Sequence, residues 1–196
     1  RDGTHNPPKR KSKGIPLLTG TMFDDGIINY EKATFISTED YKKIHSKYKP
    51  EEGDIVITKI GTLGRVALLR KKDIPIAIHC NSALLRANKS KIDSMFLFYL
   101  LKSNYFQEEL NKRKGQTVQE FINLTSLGQI KVVVPESRKF EKFKYEVRPF
   151  YNLFFKLKDE NQTLSQLRDT LLPKLMSGEI RVDLNNGEIV MKNNED

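Results

Sequence analysis

Residues 140–175 read FEKFKYEVRPFYNLFFKLKDENQTLSQLRDTLLPKL. Taken in steps of three and four, the stretch gives Phe143, Val147, Phe150, Phe154, Leu157, Asn161, Leu164, Arg168, Leu171 and Leu175. That alternation is the seam of a coiled coil. Eight of the ten positions are apolar, and the exceptions, Asn161 and Arg168, fall in the same every-seventh-residue set. Asn161 suits a register-setting polar pair, and Arg168 is placed to reach a partner carboxylate. A helix over residues 138–176 would be about 58 Å long, longer than a helix buried in one ordinary domain. Pro149 lies inside it, and an interior proline removes one backbone hydrogen bond at a cost of about 3 kcal/mol. The heptad phase continues through it, so either the helix kinks there or a new helix starts with Pro149 in its first turn. Gly178 is a suitable stop.

Upstream, the pattern changes. Residues 1–14 hold two prolines, two glycines and a run of bases, as an irregular basic loop does. Short apolar segments at 15–18, 27–30, 55–60, 65–70, 74–78 and 82–87 are separated by Gly, Pro and Asn turns, with a hairpin over 54–70. A helical turn is expected within 41–49. Asp93 caps a helix running to about Lys112, with Phe96, Tyr99, Leu100, Phe106 and Leu110 on its apolar face. Thr125 caps a short helical turn, and the β-branched residues 131–134 read as a strand stopped by Pro135. Residues 180–184 and 188–191 flank Asn185-Asn186-Gly187 as a terminal hairpin. The fold class is therefore α+β: a β-rich domain over residues 1–136, a long coiled-coil helix over 137–178, and a short polar C-terminal tail over 179–196.

The 196 residues carry a net charge of +9. From Glu179 onward five acids outnumber two bases, so residues 1–178 carry about +12. A basic body of this size points first to a nucleic acid, and next to an acidic protein or an anionic lipid. The single cysteine, Cys80, forms no internal disulfide, no metal-ligand spacing is present, and a reducing cytoplasm is the expected setting. No secretory signal is visible, and the longest apolar run, 95–101, is seven residues, too short to span a membrane. The chain starts at Arg1 without Met, as a piece of a longer or processed product would.

Catalysis finds no foothold. His5, His45 and His79 have no Ser, Cys or acid in a recognisable constellation, and Cys80 beside His79 is only a sequence neighbour. Gly61-Thr62-Leu63-Gly64-Arg65 matches neither a phosphate-binding loop nor a dinucleotide fingerprint. Nucleic-acid contact is better served. Arg10, Lys11, Lys13, Lys59, Thr62, Arg65, Asn81, Arg113, Lys114, Gln116 and Thr117 are donors and acceptors placed at turns, where they reach base edges and phosphates. For any one of them a solvated surface role is the commoner outcome; their clustering at turns beside Gly distinguishes them as a set. The long helix could pack on its own domain, but a domain this small leaves seam positions uncovered, so pairing with another helix is expected.

Several segments taken together resemble the specificity subunit of type I restriction–modification enzymes. They are Asp2-Gly3-Thr4-His5 with Pro7-Pro8, Gly14-Ile15-Pro16-Leu17-Leu18, Gly53-Asp54-Ile55-Val56-Ile57-Thr58, Gly61-Thr62-Leu63-Gly64-Arg65, and above all residues 167–180, LRDTLLPKLMSGEI. The resemblance covers nearly the whole chain to about Val182, and the order of the motifs is more specific than any one of them. It implies a non-catalytic target recognition domain for double-stranded DNA, followed by a long helix. A full subunit has two of each, with the helices antiparallel and setting the distance between two half-sites. One of each is present here, which implies a homodimer or the second half of a two-domain subunit. The strand that usually precedes the Asp-Gly-Thr-His segment is missing. The resemblance places methyl transfer on modification (methyltransferase) subunits and cleavage on a restriction subunit. It implies no cofactor for this chain, with S-adenosylmethionine, ATP and Mg belonging to those partners. The rival readings are a scaffold that docks its basic body on an acidic partner, and a fragment of a fused methyltransferase–nuclease.

Overall fold

The computed structural model describes residues 1, 3–4, 8–115, 120–182 and 189–191. The chain divides into two compact units, residues 1–146 and 147–196. In chain order the first unit holds β1 (Ile15–Leu18), β2 (Phe23–Asp24), β3 (Ile27–Ile28), β4 (Thr34–Ile36), α1 (Thr38–Ile44), β5 (Ile55–Thr58), β6 (Val66–Leu68), β7 (Ala77–Ile78), β8 (Ser82–Leu85), α2 (Ser94–Lys102), α3 (Asn104–Lys112) and α4 (Leu124–Gly128).

β5, with the sequence IVIT, is the central strand of one sheet. It pairs antiparallel with β6 on one side, Ile55 opposite Leu68, and with β8 on the other, Ile55 opposite Leu85. All four of its residues are buried. Alternation sends Val56 into a core shared with Leu18, Met22, Ile28, Ile78 and Leu84, and Ile55 and Ile57 to the opposite face. There α2 packs across β5 and β6. Each of these side chains contributes about 1.5–3 kcal/mol by leaving water. The second sheet has β1 in the middle, antiparallel to β4 and parallel to β7. Its alternation splits the same way: Leu18 faces the shared core, whereas Leu17 joins Ile36, Ala77 and Tyr41 of α1 in a second cluster. β2 and β3 form a hairpin around Asp25 and Gly26, both at positive φ (39° and 99°), as a tight primed turn requires. The sheet edge beside β5 is fastened by charge. Arg86 grips the buried Asp54 in bidentate fashion (Nε–Oδ1 2.7 Å, Nη2–Oδ2 2.7 Å) and also reaches Glu51 Oε1 at 3.0 Å.

Five local expectations are corrected. The helix from Asp93 to Lys112 is two helices, because Ser103 adopts extended backbone and its hydroxyl caps α3 by accepting from Phe106 N. The buried face of α2 is Met95, Phe98 and Leu101, one step from the expected Phe96, Tyr99 and Leu100. Asn123, not Thr125, caps α4. Residues 131–134 form no ladder and are exposed, Val133 at 79 %: strand propensity without an edge to pair with gives no strand. The expected helical turn within 41–49 begins earlier, as α1, because Ser37 accepts from Asp40 N and so caps it.

α5 (Ser137–Ser177) runs unbroken for 41 residues, with Pro149 and Pro173 inside it. Of the two alternatives at Pro149, no new helix starts there. The helix ends at Gly178, whose φ of 73° and bond from its N–H to Leu175 O (3.1 Å) make a left-handed stop. In the second unit β9 (Ile180–Val182) pairs antiparallel with β10 (Ile189–Met191); the Asn185-Asn186-Gly187 turn lies outside the described residues.

His45 is fully buried between Tyr41 and Tyr48, and its Nε2 accepts from Ile78 N at 3.3 Å. Burial holds its pKa below the ordinary imidazole value, opposed by a backbone hydrogen bond at Tyr48. The unfolded chain therefore takes up the proton first as pH falls, and stability drops below the unfolded value of about 6.5. His45→Gln, which keeps an acceptor for Ile78, should lose less melting temperature between pH 7.5 and 5.5 than the parent chain, by a few degrees. Equal losses in differential scanning calorimetry would contradict this.

Candidate nucleic-acid interface

The site is built outward from the end of β5. Thr58 is buried, and its hydroxyl donates to Thr62 O and accepts from Arg65 N at 3.0 Å. Its backbone pairs with Arg65 and Gly64, with Thr58 N to Arg65 O at 2.9 Å and Gly64 N to Thr58 O at 3.0 Å. One buried residue thus fixes both limbs of the loop over 59–65. The loop is also stitched sideways: Lys59 N donates to Asn81 O, Gly61 N to Glu120 O, and Ile122 N to Lys59 O, all within 2.8–2.9 Å. Gly64 turns at φ 77°, where an L side chain is strained, and a Cβ there would lie 2.2 Å from Gln107 Oε1 and displace that amide.

This loop forms one wall of a cleft of about 610 Å³. Arg10, Lys32, Arg65, Thr19, Thr21, Thr34, Thr62, His79 and Asn81 line it together with Gly20, Ile60 and Gly61. Three cations border the cleft and no carboxylate does, among the described residues. Threonine hydroxyls, the Asn81 amide and the His79 ring supply neutral donors and acceptors beside them. Asn81 N donates to His79 Nδ1 at 3.2 Å, which in the neutral ring leaves the proton on Nε2. Arg65 also borders a neighbouring cleft of about 430 Å³ with Asp24, Asp25, Lys102 and Gln107, where Lys102 and Asp25 pair at 2.7 Å.

Of the residues expected from sequence, Arg10, Thr62, Arg65 and Asn81 come together here. Lys59 does not: it is 6 % exposed and serves the loop through its backbone. Lys11 lies by α1, its backbone paired with Phe35, and Lys13 is exposed on the same segment. Arg113 and Lys114 are engaged locally, Arg113 with Glu109 and Lys114 with Glu120. Hydrogen bonds from Lys112 and Arg113 hold the Glu109 carboxyl below its usual range. Gln116 and Thr117 lie outside the described residues. The residues that sequence reading missed are Lys32, His79, Thr19, Thr21 and Thr34. They reach the cleft through the pairing of β1 with β4 and β7, which no local pattern announces.

Along α5 the expected seam is largely open. Phe150 is 71 % exposed, Leu157 48 %, Leu164 61 % and Leu175 41 %, and Asn161 is exposed too. Val147, Phe154 and Leu171 are half-buried. Leu153 and Leu167 are also exposed and widen the stripe. Phe143 instead meets Phe96 of α2 edge-on at 5.2 Å, beside Phe140 at 5.3 Å. Arg168 pairs with the adjacent Asp169 at 2.8 Å. No helix among the described residues is long and apolar enough to cross a membrane.

Comparison with known proteins agrees with this architecture. The chain is 29% identical over 173 residues to the type I restriction enzyme MjaVIII specificity subunit of Methanocaldococcus jannaschii, covering 86% of this chain and 40% of that one. It is 25% identical over 187 residues to the MjaIX specificity subunit of the same organism, covering 91% and 41%. The chain thus spans about two fifths of the length of these curated relatives. The fold is similar to the S subunit of a type I restriction–modification system from M. genitalium (TM-score 0.52, 17% identity, 86% of this chain and 43% of that one). It is similar again to a chain from a structure of type I R-M complex assembly and conformational transition (TM-score 0.53, 17% identity, 86% and 41%). Residues 6–165 match the type I restriction modification DNA specificity domain, and the chain belongs to that family.

Proposed function

We propose that this chain is a sequence-recognition module for duplex DNA, with residues 1–136 as reader, residues 137–178 as spacer and docking helix, and 179–196 as a terminal tail. The observation that carries the reading is the cleft whose walls hold Arg10, Lys32 and Arg65, with no carboxylate among the described residues. Cations placed this way release counterions from phosphates, and the neutral groups between them suit base edges. Arg65 and Thr62 stand on a loop anchored in the core, as a reader that must discriminate bases needs. Lys11, Lys13, Arg113 and Lys114 serve as peripheral phosphate contacts, and Gln116 and Thr117 belong to the same proposed set.

In this reading the chain performs no chemistry of its own. Modification subunits transfer the methyl group, using S-adenosylmethionine to a base taken out of the stack, and a restriction subunit with ATP and Mg cuts. The open stripe on α5 pairs with a second helix, from another copy or from the other half of a longer subunit, and the length of that pair sets the half-site spacing. Membership of the family supports this arrangement, and the stripe of exposed leucines supports helix pairing.

Two experiments test it. Binding to a mixed-sequence duplex should weaken with salt; Arg65→Ala and Lys32→Ala should each flatten the log–log salt slope by about 1. Arg113→Ala, already paired with Glu109, should change it less. Unchanged binding in both cleft variants, by fluorescence anisotropy, would remove the cleft from the interface. For the helix, the parent chain should sediment as a dimer and Leu157→Asp with Leu164→Asp as a monomer, the melting of the first unit staying in place. A variant that remains dimeric contradicts the seam.

A further inference from the structure

The break between α2 and α3 does more than turn the chain. A helix leaves its last carbonyls without partners. At the end of α2, Leu100 O is taken by the Ser103 hydroxyl at 2.7 Å, and Leu101 O by Gln107 Nε2 at 2.7 Å. The same Gln107 nitrogen donates to Gly64 O at 3.0 Å. Both acceptors are carbonyl oxygens, so the amide has one orientation that satisfies them, with its nitrogen toward both. Its oxygen then lies where a Cβ on Gly64 would be, 2.2 Å away. Gln107 is half-buried and lies one turn into α3, at the position that the Ser103 cap fixes. A continuous helix over 94–112 would shift the rotational phase of Gln107. Thr58 therefore holds the loop over 59–65 from the sheet side, and Gln107 holds it from the helix side.

The geometry points to Gln107 as a positioning residue for sequence discrimination, one that sets Thr62 and Arg65 in the cleft without itself touching DNA. This inference rests on the cleft being the DNA face. A backbone clamp of this kind governs angle and depth rather than total charge, so its loss should affect discrimination more than general attraction to phosphates.

The test uses the full chain and its Gln107→Met variant, similar in length but unable to donate. Two readouts are taken. In hydrogen exchange, the Gly64 and Arg65 amides should exchange faster in the variant, while those of β5 and β8 keep their protection. In selection from a duplex library with a randomised centre, the ratio of affinity for the selected sequence to affinity for mixed sequence should fall about ten-fold. Where Gln107→Met does not fold, the readings pass to Gln107→Glu, whose carboxylate faces two carbonyls and should loosen the loop in the same direction. Unchanged exchange at Gly64 and Arg65, or an unchanged affinity ratio, overturns the inference. A parent chain that selects no sequence at all overturns the DNA reading instead, and the exchange readout still decides whether Gln107 holds the loop.

Discussion

Burial of β5 on both faces is the constraint from which the rest of the first unit follows. A strand covered by Val56-side residues of one core and by α2 on the other face has no freedom to slip, since a one-residue shift would reverse every side chain. Its last residue, Thr58, brings a hydroxyl into that environment, and a buried hydroxyl left unpaired is costly. The hydroxyl is satisfied by Thr62 O and Arg65 N, so the hydrophobic register of the strand is converted directly into the geometry of an exposed loop. That is how apolar packing comes to place a guanidinium.

Charge is then divided by location. Asp54, buried at the start of β5, is neutralised by Arg86 and by the backbone N–H of Glu51 at 2.8 Å. Glu109 and Glu120 take up Arg113 and Lys114. None of these acids lines the cleft of Arg10, Lys32 and Arg65, where three cations stand without a carboxylate among the described residues, although Asp24 and Asp25 share the neighbouring cleft with Arg65. In the second unit the same logic runs through water: a helix that leaves Phe150, Leu157 and Leu164 exposed carries an apolar stripe fit for a second helix.

Much of this was legible in residue order. The hairpin over 54–70, the long helix and its stop at Gly178 follow from period and turn residues, and Arg10, Thr62, Arg65 and Asn81, singled out because they stand at turns, line one cleft. What was missed depends on long-range pairing. Lys32 and His79 become neighbours only when β1 pairs with both β4 and β7. The break at Ser103 was hidden because the run 95–101 is apolar all round and gives no phase, although Ser103 before Asn104 was a capping signal in plain view. Lys59 stands apart from the cleft set because it directly follows a buried strand and is itself buried, its backbone bonding Asn81 and Ile122. Residues 131–134 show the converse error, propensity taken for pairing. Arg168 pairs with the adjacent Asp169 within the chain, a contact its expected reach to a partner carboxylate would have to exchange or share.

The central claim is that the cleft beside the 59–65 loop receives the DNA. The most direct measurement is photocrosslinking of the full chain to a duplex carrying photoreactive bases, with the attached peptides identified by mass spectrometry. The account predicts crosslinks at residues 59–65 and 79–81 and in the segment around Arg10. Crosslinks confined to α3 or to α5, with the cleft segments unmarked, would contradict it.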